Sequence, residues 1–282
     1  MKVLVTGSAG RLGSVTVNHL RDFGHEVTGL DMISSSTTDI VADIRDGAAV
    51  LQIAQKFDVI IHSAAIHGKH YELNYPRESF IDANIYGTLN LLNASIKNGV
   101  NKFLYISTTS IYGDAMVDAN QAVWVTEELN EQPRDIYDIT KQTAEQLCKD
   151  FFYKEGLQTS VYRVGRFLPE DDNLKANHRL YRGLDERDAA EALRLALDHS
   201  FAEFEIFNIT SGSPFNKEDV VALKHNPVEV IKKYYPDIEK MYESNGWALP
   251  KSIDRVYNCN KAKQLLSYNP KYVFEYLLSL NN

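Results

Sequence analysis

Lys2-Val-Leu-Val-Thr-Gly7-Ser-Ala-Gly10-Arg-Leu-Gly13 decides the reading of this chain. Val3 to Val5 is a short apolar run of the kind that forms a buried parallel strand. Gly7, Gly10 and Gly13 follow at three-residue steps. Leu12, Val15, Val17 and Leu20 then fall on or near one face of a predicted helix. A strand, a glycine turn and a helix aim backbone N–H groups and a positive helix end at a phosphate. Bare glycines let the backbone approach a pyrophosphate that a side chain would hold off. The spacing is G-x-x-G-x-x-G rather than G-x-G-x-x-G, so the chain beyond it has to supply the rest of the case.

Glu26-Val-Thr-Gly-Leu-Asp31 reads as the second strand, and its terminal acid lies 18 residues past Gly13. An acid there accepts hydrogen bonds from adenosine ribose hydroxyls and repels a 2′-phosphate, which favours NAD over NADP. Ile40 to Ile44 reads as a third strand, with Asp43 either capping the next helix (46–56) or contacting the adenine. Asp58 to Ala65 is the fourth strand, running into the small residues Ser63, Ala64 and Ala65. A long helix is predicted over 76–98, a fifth strand over 102–107, a helix over 137–155, a sixth strand over 159–166 and a further strand over 203–210. Strands and helices alternating in this way predict an α/β fold, a Rossmann-type doubly wound parallel sheet.

Composition narrows the function classes. The 282 residues carry a net charge of −8, which argues against non-specific nucleic-acid binding. No apolar run reaches the ~20 residues of a membrane helix. A strand starting at residue 3 leaves no room for a signal peptide. Cys148 and Cys259 alone suggest no disulfide framework. The expectation is a cytoplasmic protein without membrane or nucleic-acid partners.

The chemistry gathers after the fifth strand, at Ser107-Thr108-Thr109-Ser110, and at Tyr137-Asp-Ile-Thr-Lys141. Tyr and Lys at i and i+4 share a helix face. A free phenol has a pKa of about 10, and lowering it by about three units takes roughly 4 kcal/mol. One cation at ~4 Å supplies that order of energy at an effective dielectric near 20. Thr108 at a strand end could then hydrogen-bond a substrate hydroxyl that Tyr137 deprotonates.

Together, Thr6-Gly-x-x-Gly-x-x-Gly13, Asp31, Asp43-Ile44, His62-Ser-Ala-Ala65, Asn84-x-x-Gly87-Thr88, Thr108-x-x-x-Tyr112-Gly113 and Tyr137-x-x-x-Lys141 resemble the extended short-chain dehydrogenase/reductase superfamily. Within it they are most similar to the NAD-dependent sugar epimerase/dehydratase family. The likeness is dense to about residue 166 and returns at Leu184-Asp-Glu-Arg187-Asp188 and Lys261-Ala-x-x-x-Leu265. It implies NAD held by Gly7, Gly10, Arg11, Leu12, Gly13, Asp31, Asp43, Ile44, Ser63, Ala64, Ala65, Asn84, Tyr137 and Lys141. It implies Tyr137 as acid/base, Lys141 on the nicotinamide ribose and tuning Tyr137, and Thr108 on the reacting hydroxyl. It also implies a homodimer through helices 76–98 and 137–155. The division expected is 1–165 as NAD-binding domain, with 185–210 returning to it, and 166–184 with 211–282 as a smaller C-terminal α/β substrate-binding region.

Departures from the family pattern bear on the substrate. Thr109 and Ser110 stand where the family's 4,6-dehydratases carry an Asp-Glu pair, which disfavours that reaction. Only about twenty residues separate the sixth strand from Asp185, where nucleotide-sugar epimerases of the family carry a longer insert. This shortening resembles the uronate dehydrogenases of the same family, although the tail beyond 213 is longer than theirs. Arg166, His178, Arg179 and Arg182 fall in this part of the chain, and one or more of the arginines could fork a carboxylate or phosphate. Arg166, Thr109 and His67 are the expected substrate contacts. No metal ligand set is evident around His67 and His70. The readings are a sugar epimerase, a uronate-type dehydrogenase, a reductase of phenolics or steroids, and a non-catalytic NAD sensor.

Overall fold

In the computed structural model, residues 1–67, 73–167 and 169–280 are described. Seven parallel strands form the main sheet in the order β3-β2-β1-β4-β5-β7-β8. They are β1 (Lys2–Thr6), β2 (Glu26–Asp31), β3 (Ile40–Val41), β4 (Val59–His62), β5 (Lys102–Thr108), β7 (Gln158–Val164) and β8 (Glu205–Ile209). The chain leaves β1 toward β2 and β3, then returns on the other side of β1 with β4. That reversal between β1 and β4 opens the crevice where doubly wound sheets bind ligands. Thr6 pairs with His62 across it.

The strands are buried on both faces, as their continuous apolar runs require. One face packs α1 (Arg11–Asp22) and α6 (Glu186–Leu197) over Val3, Val5 and Ile61. The other packs α2 (Gly47–Ile53), α3 (77–98) and α4 (Ile136–Glu155) over Leu4, Ile60 and Phe103. Each such fully buried side chain contributes roughly 1.5–3 kcal/mol. α4 starts where the Asp135 carboxylate accepts the Asp138 N–H, and it ends at Gly156 in the left-handed conformation.

The predicted helix over 76–98 is α3, but it is not uniform. Arg77–Phe80 and Gly87–Asn98 are α-helical, and Ile81–Tyr86 between them is a π-helical turn. Such wide turns recur at functional sites. The predicted third strand is shorter than expected, and Asp46 rather than Asp43 caps α2, accepting from Ala48 and Ala49.

Outside the main sheet lies a two-stranded parallel sheet that the sequence did not announce. β6 (Val123–Val125) pairs with β9 (Arg255–Tyr257), 130 residues away. Around it lie α5 (Asp172–Arg179), α7 (Val220–His225), α8 (Pro227–Tyr234), α9 (Ile238–Ser244) and α11 (Phe274–Ser279), while α10 (Asn260–Leu266) packs back on β8 and α6. A third core of Leu180, Phe215, Leu223, Ile231, Tyr242 and Phe274 holds this region together.

Candidate functional site

The glycine loop folds as the spacing requires, and its three glycines serve different ends. Gly7 has φ +74°, and a Cβ there would lie 2.6 Å from the Ala64 nitrogen. A Cβ on Gly13 would lie 2.0 Å from the Gly7 carbonyl oxygen. Close packing by the protein itself therefore accounts for both. Gly10 differs: among the described residues a Cβ would meet only the Gly7 oxygen, at 3.1 Å. Its bare face is the free side of the turn. Gly10 is also the N-cap of α1, makes no side-chain cap, and the first helical turn carries no acid. Arg11, Leu12 and Gly13 begin that turn, so their N–H groups form a positive helix end suited to a phosphate.

Asp31 sits beside this loop at the end of β2. One carboxylate oxygen accepts the Ala9 N–H at 3.0 Å and the other accepts the Ile33 N–H at 3.0 Å. The carboxylate is therefore already oriented, and it remains partly exposed. Met32 and Ile33 next to it are exposed at 58% and 68%. Exposed apolar side chains flanking an oriented acid suit the flat face of an adenine and its ribose, and sequence reading missed them. A dinucleotide fits this cradle.

Other expected cofactor contacts are engaged by the protein. The Arg11 guanidinium pairs with Glu186 at the start of α6, so it is directed away from any phosphate role. The Asp43 carboxylate is gripped by the Arg45 guanidinium at 2.6 and 2.8 Å, which holds its pKa below the usual range. Ile44 is buried, and its side chain fills the space against Gly87. Ser63, Ala64 and Ala65 follow β4 and are half-buried. Asn84, on the π turn, is buried. Its amide oxygen accepts Ile66 N–H at 2.8 Å, and its amide nitrogen donates to the Ile66 carbonyl at 2.8 Å and to Thr140 Oγ1 at 3.0 Å. Asn84 thus pins the loop after β4 to α4.

Thr108, Tyr137 and Lys141 come together at the end of β5. Thr108 Oγ1 accepts the Ser110 N–H at 3.1 Å, and its hydroxyl is the polar neighbour of the Tyr137 phenol. Burial pushes the Tyr137 pKa up, and the Thr108 hydroxyl opposes that. Lys141 lies one turn further, buried, with Nζ donating to the Ile106 carbonyl at 2.5 Å and standing 4.1 Å from the centre of the Tyr105 ring. Burial lowers its pKa to about 7, against the pull of Glu145. The expected depression of Tyr137 by Lys141 is therefore not what this structure displays. The ammonium faces a backbone carbonyl, and the phenol is held neutral.

Beneath Lys141 runs an ion network. Arg163, on β7, is wholly buried between Glu145 and Glu131 and lies over the Tyr112 ring. Ser107 donates to the same Glu145 carboxylate. Glu145 at i+4 from Lys141 was the visible signal. Thr109, expected to touch substrate, is buried, with its hydroxyl directed to the Val164 carbonyl at 3.3 Å. Arg179 is also buried, with Asp185 and Ser211.

Arg166 stands just beyond the end of β7, its side chain 39% exposed, and Nε donates to Glu170 at 2.5 Å. The other Glu170 oxygen receives His178 Nδ1–H at 2.6 Å, and Arg182 donates to His178 Nε2 at 2.6 Å. Burial and the Arg182 charge lower the His178 pKa, so the ring is neutral and serves as a relay between cation and acid. His67 is exposed. Gly68, Lys69 and His70 lie outside the described residues. Among the described residues no helix is long and apolar enough to cross a membrane.

This geometry can be set beside known proteins. The chain is 32% identical over 174 residues to a 3-beta-hydroxysteroid dehydrogenase of Mycolicibacterium neoaurum, covering 57% of this chain and 46% of that protein. It is 25% identical over 183 residues to a uronate dehydrogenase of Pseudomonas syringae pv. tomato, covering 61% of this chain and 62% of that one. The chain thus spans about half the length of the first of these relatives. In fold it is similar to a UDP-glucose 4-epimerase of Thermotoga maritima solved with UDP-glucose. That match has a TM-score of 0.74 and 24% identity, over all of this chain and 97% of that one. The model of the NAD dependent epimerase/dehydratase family matches residues 3–182, and the chain belongs to that family.

Proposed function

We propose that this chain is an NAD-dependent epimerase or oxidoreductase acting on a secondary hydroxyl of a sugar or nucleotide sugar. The observation that carries the reading is the gathering of the Thr108 hydroxyl and the Tyr137 phenol at the end of β5, with Lys141 buried one turn away. NAD, held along Gly7, Gly10, Leu12, Gly13 and Asp31, supplies the hydride acceptor. Ser63, Ala64 and Ala65 leave the crevice floor open to it, and Asn84 fixes that loop from below. Thr108 orients the reacting oxygen. Tyr137, held neutral by burial, is ready as the acid toward a carbonyl oxygen. As a base toward a hydroxyl it needs positive charge nearby, and Lys141 is the cation its helix provides.

On this reading, 1–165 with 185–210 form the cofactor unit, while 166–184 and 211–282 form the substrate unit. β6 joins the latter through its pairing with β9. Ile81, Tyr86 and Ile139 are exposed on α3 and α4, which supports a homodimer through those helices. The partly exposed Arg166, oriented by Glu170, favours a second reading: a uronate-type dehydrogenase that recognises a sugar carboxylate. The charged run Arg166, Glu170, His178 and Arg182 speaks against an apolar steroid or phenolic pocket.

Tyr137→Phe tests the mechanism. Turnover should fall by about 10²–10⁴-fold with the affinity for NAD kept. A variant that turns over like the parent would end the catalytic reading and leave a non-catalytic NAD-sensing protein.

A further inference from the structure

One hydrogen-bond chain links the glycine loop to the catalytic helix, and its polarity is fully determined. Thr88 Oγ1 donates to the Asn84 carbonyl at 2.6 Å, because a carbonyl can only accept. The Thr88 hydrogen is thereby used, so His62 Nε2, at 2.9 Å, must donate to Thr88. His62 Nδ1, at 2.7 Å from Thr6 Oγ1, then accepts the Thr6 hydroxyl, while the Ala64 N–H donates to Thr6 Oγ1 at 3.3 Å. Further along, Asn84 Nδ2 donates to Thr140 Oγ1 at 3.0 Å, and Thr140 donates to the Tyr137 carbonyl at 3.0 Å. Thr6, His62, Asn84, Thr88 and Thr140 are each no more than 1% exposed.

We propose that His62 is a positioning residue: as the neutral Nε2–H tautomer it joins the strand below the glycine loop to α3, and through Asn84 and Thr140 it sets Tyr137. This rests on the reading of Tyr137 as the acid/base. The chain begins one residue before Gly7 and ends on the backbone of Tyr137, so cofactor cradle and acid/base share one rigid support. His62 is its only titratable link. The groups facing it are Thr6 on β1, Phe103 and Tyr105 on β5, Thr88 on α3 and the Lys141 ammonium on α4. None is an acid. Burial and Lys141 both disfavour the imidazolium, lowering the pKa to about 3. A second ring proton would also leave the Thr6 hydroxyl without its acceptor.

Nitrogen-15 NMR of the histidine side chains in the full chain tests this without needing turnover. Thr88→Val removes the Nε2–H acceptor and should move one imidazole signal alone, which assigns His62. The expected spectrum is neutral Nε2–H, unchanged from about pH 5 to pH 8, the range in which an ordinary histidine titrates. An Nδ1–H tautomer, or titration in that range, would overturn the proposal. The coupling is read from Thr6→Val, Thr140→Val and the double variant. Each single change should lower kcat about tenfold, and the double variant should be no worse than the poorer single one, as for residues in one network. Multiplying effects would overturn the coupling. If Tyr137→Phe remains fully active, the catalytic reading has failed. The tautomer then still judges the chain of bonds.

Discussion

The inner cleft and the outer substrate region are built by different means. In the cleft, backbone geometry shapes the cradle through the Gly7 turn and the uncapped start of α1, and the fully buried, uncharged Thr6–His62–Thr88–Asn84–Thr140 chain supports it. Its charges, Lys141, Glu145 and Arg163, are buried, and the carboxylate and guanidinium are paired with each other. In the outer region ionic side chains do the positioning, through Arg166, Glu170, His178 and Arg182, and Arg166 is partly exposed. The difference teaches where change is tolerated. An interior ion network fixes one geometry and is costly to break. The outer network opens outward at Arg166, and that residue can be altered to suit another substrate at a smaller cost to the fold.

The largest effect that sharpens this contrast is expected at Lys141. Lys141→Met should lower kcat by about 10²–10³-fold, measured at saturating NAD. The same residue has a thermodynamic signature. Its folded pKa, about 7, lies below its unfolded value of 10.5. Between those values the unfolded chain binds a proton that the folded chain does not, so stability rises as pH rises from about 7 to about 10. Urea titrations of the parent should show that rise relative to Lys141→Met. An identical pH dependence in both would place Lys141 in water.

Next comes stability. Arg163→Met leaves Glu145 buried without its partner and should cost about 3–5 kcal/mol in denaturant unfolding. Arg166→Leu, its partly exposed outer counterpart, should cost less, about 1 kcal/mol, because His178 still donates to Glu170. Equal losses would erase the distinction between the regions. Asp31→Ala should weaken NAD about tenfold in a binding titration, the order expected for a charged hydrogen bond, and reduce the preference over NADP. The smallest effect is on substrate choice. Arg166→Leu should raise KM for an acidic sugar about tenfold while kcat holds and a neutral sugar is unaffected.

The same contrast explains what was legible in the sequence. Gly7, Gly10, Gly13 and Asp31 were readable because a tight turn and a strand end require those residue types at short, fixed spacing. Tyr137 and Lys141 were readable because i and i+4 share a helix face. The Arg163 ion network was not legible because its partners, Glu131 and Glu145, come from other elements, and no local spacing reports that pairing. β6 and β9 were missed because three-residue strands pairing across 130 residues leave no periodicity to find. Thr109 was expected to face substrate from its place beside Thr108, but the chain turns at the end of β5 and buries it under the Val164 carbonyl. Strand alternation, buried runs and helix caps carried the main sheet, and tertiary pairing of charges decided the outer region.

The central claim is hydride chemistry on a sugar hydroxyl. The most direct test is incubation of the full chain with NAD and, one at a time, free sugars, uronic acids and nucleotide sugars, following NADH and resolving the products. The account predicts that at least one sugar is consumed, giving NADH if the chain is a dehydrogenase or an epimer without net NADH if it is an epimerase. NAD binding with no sugar converted by either route would contradict it.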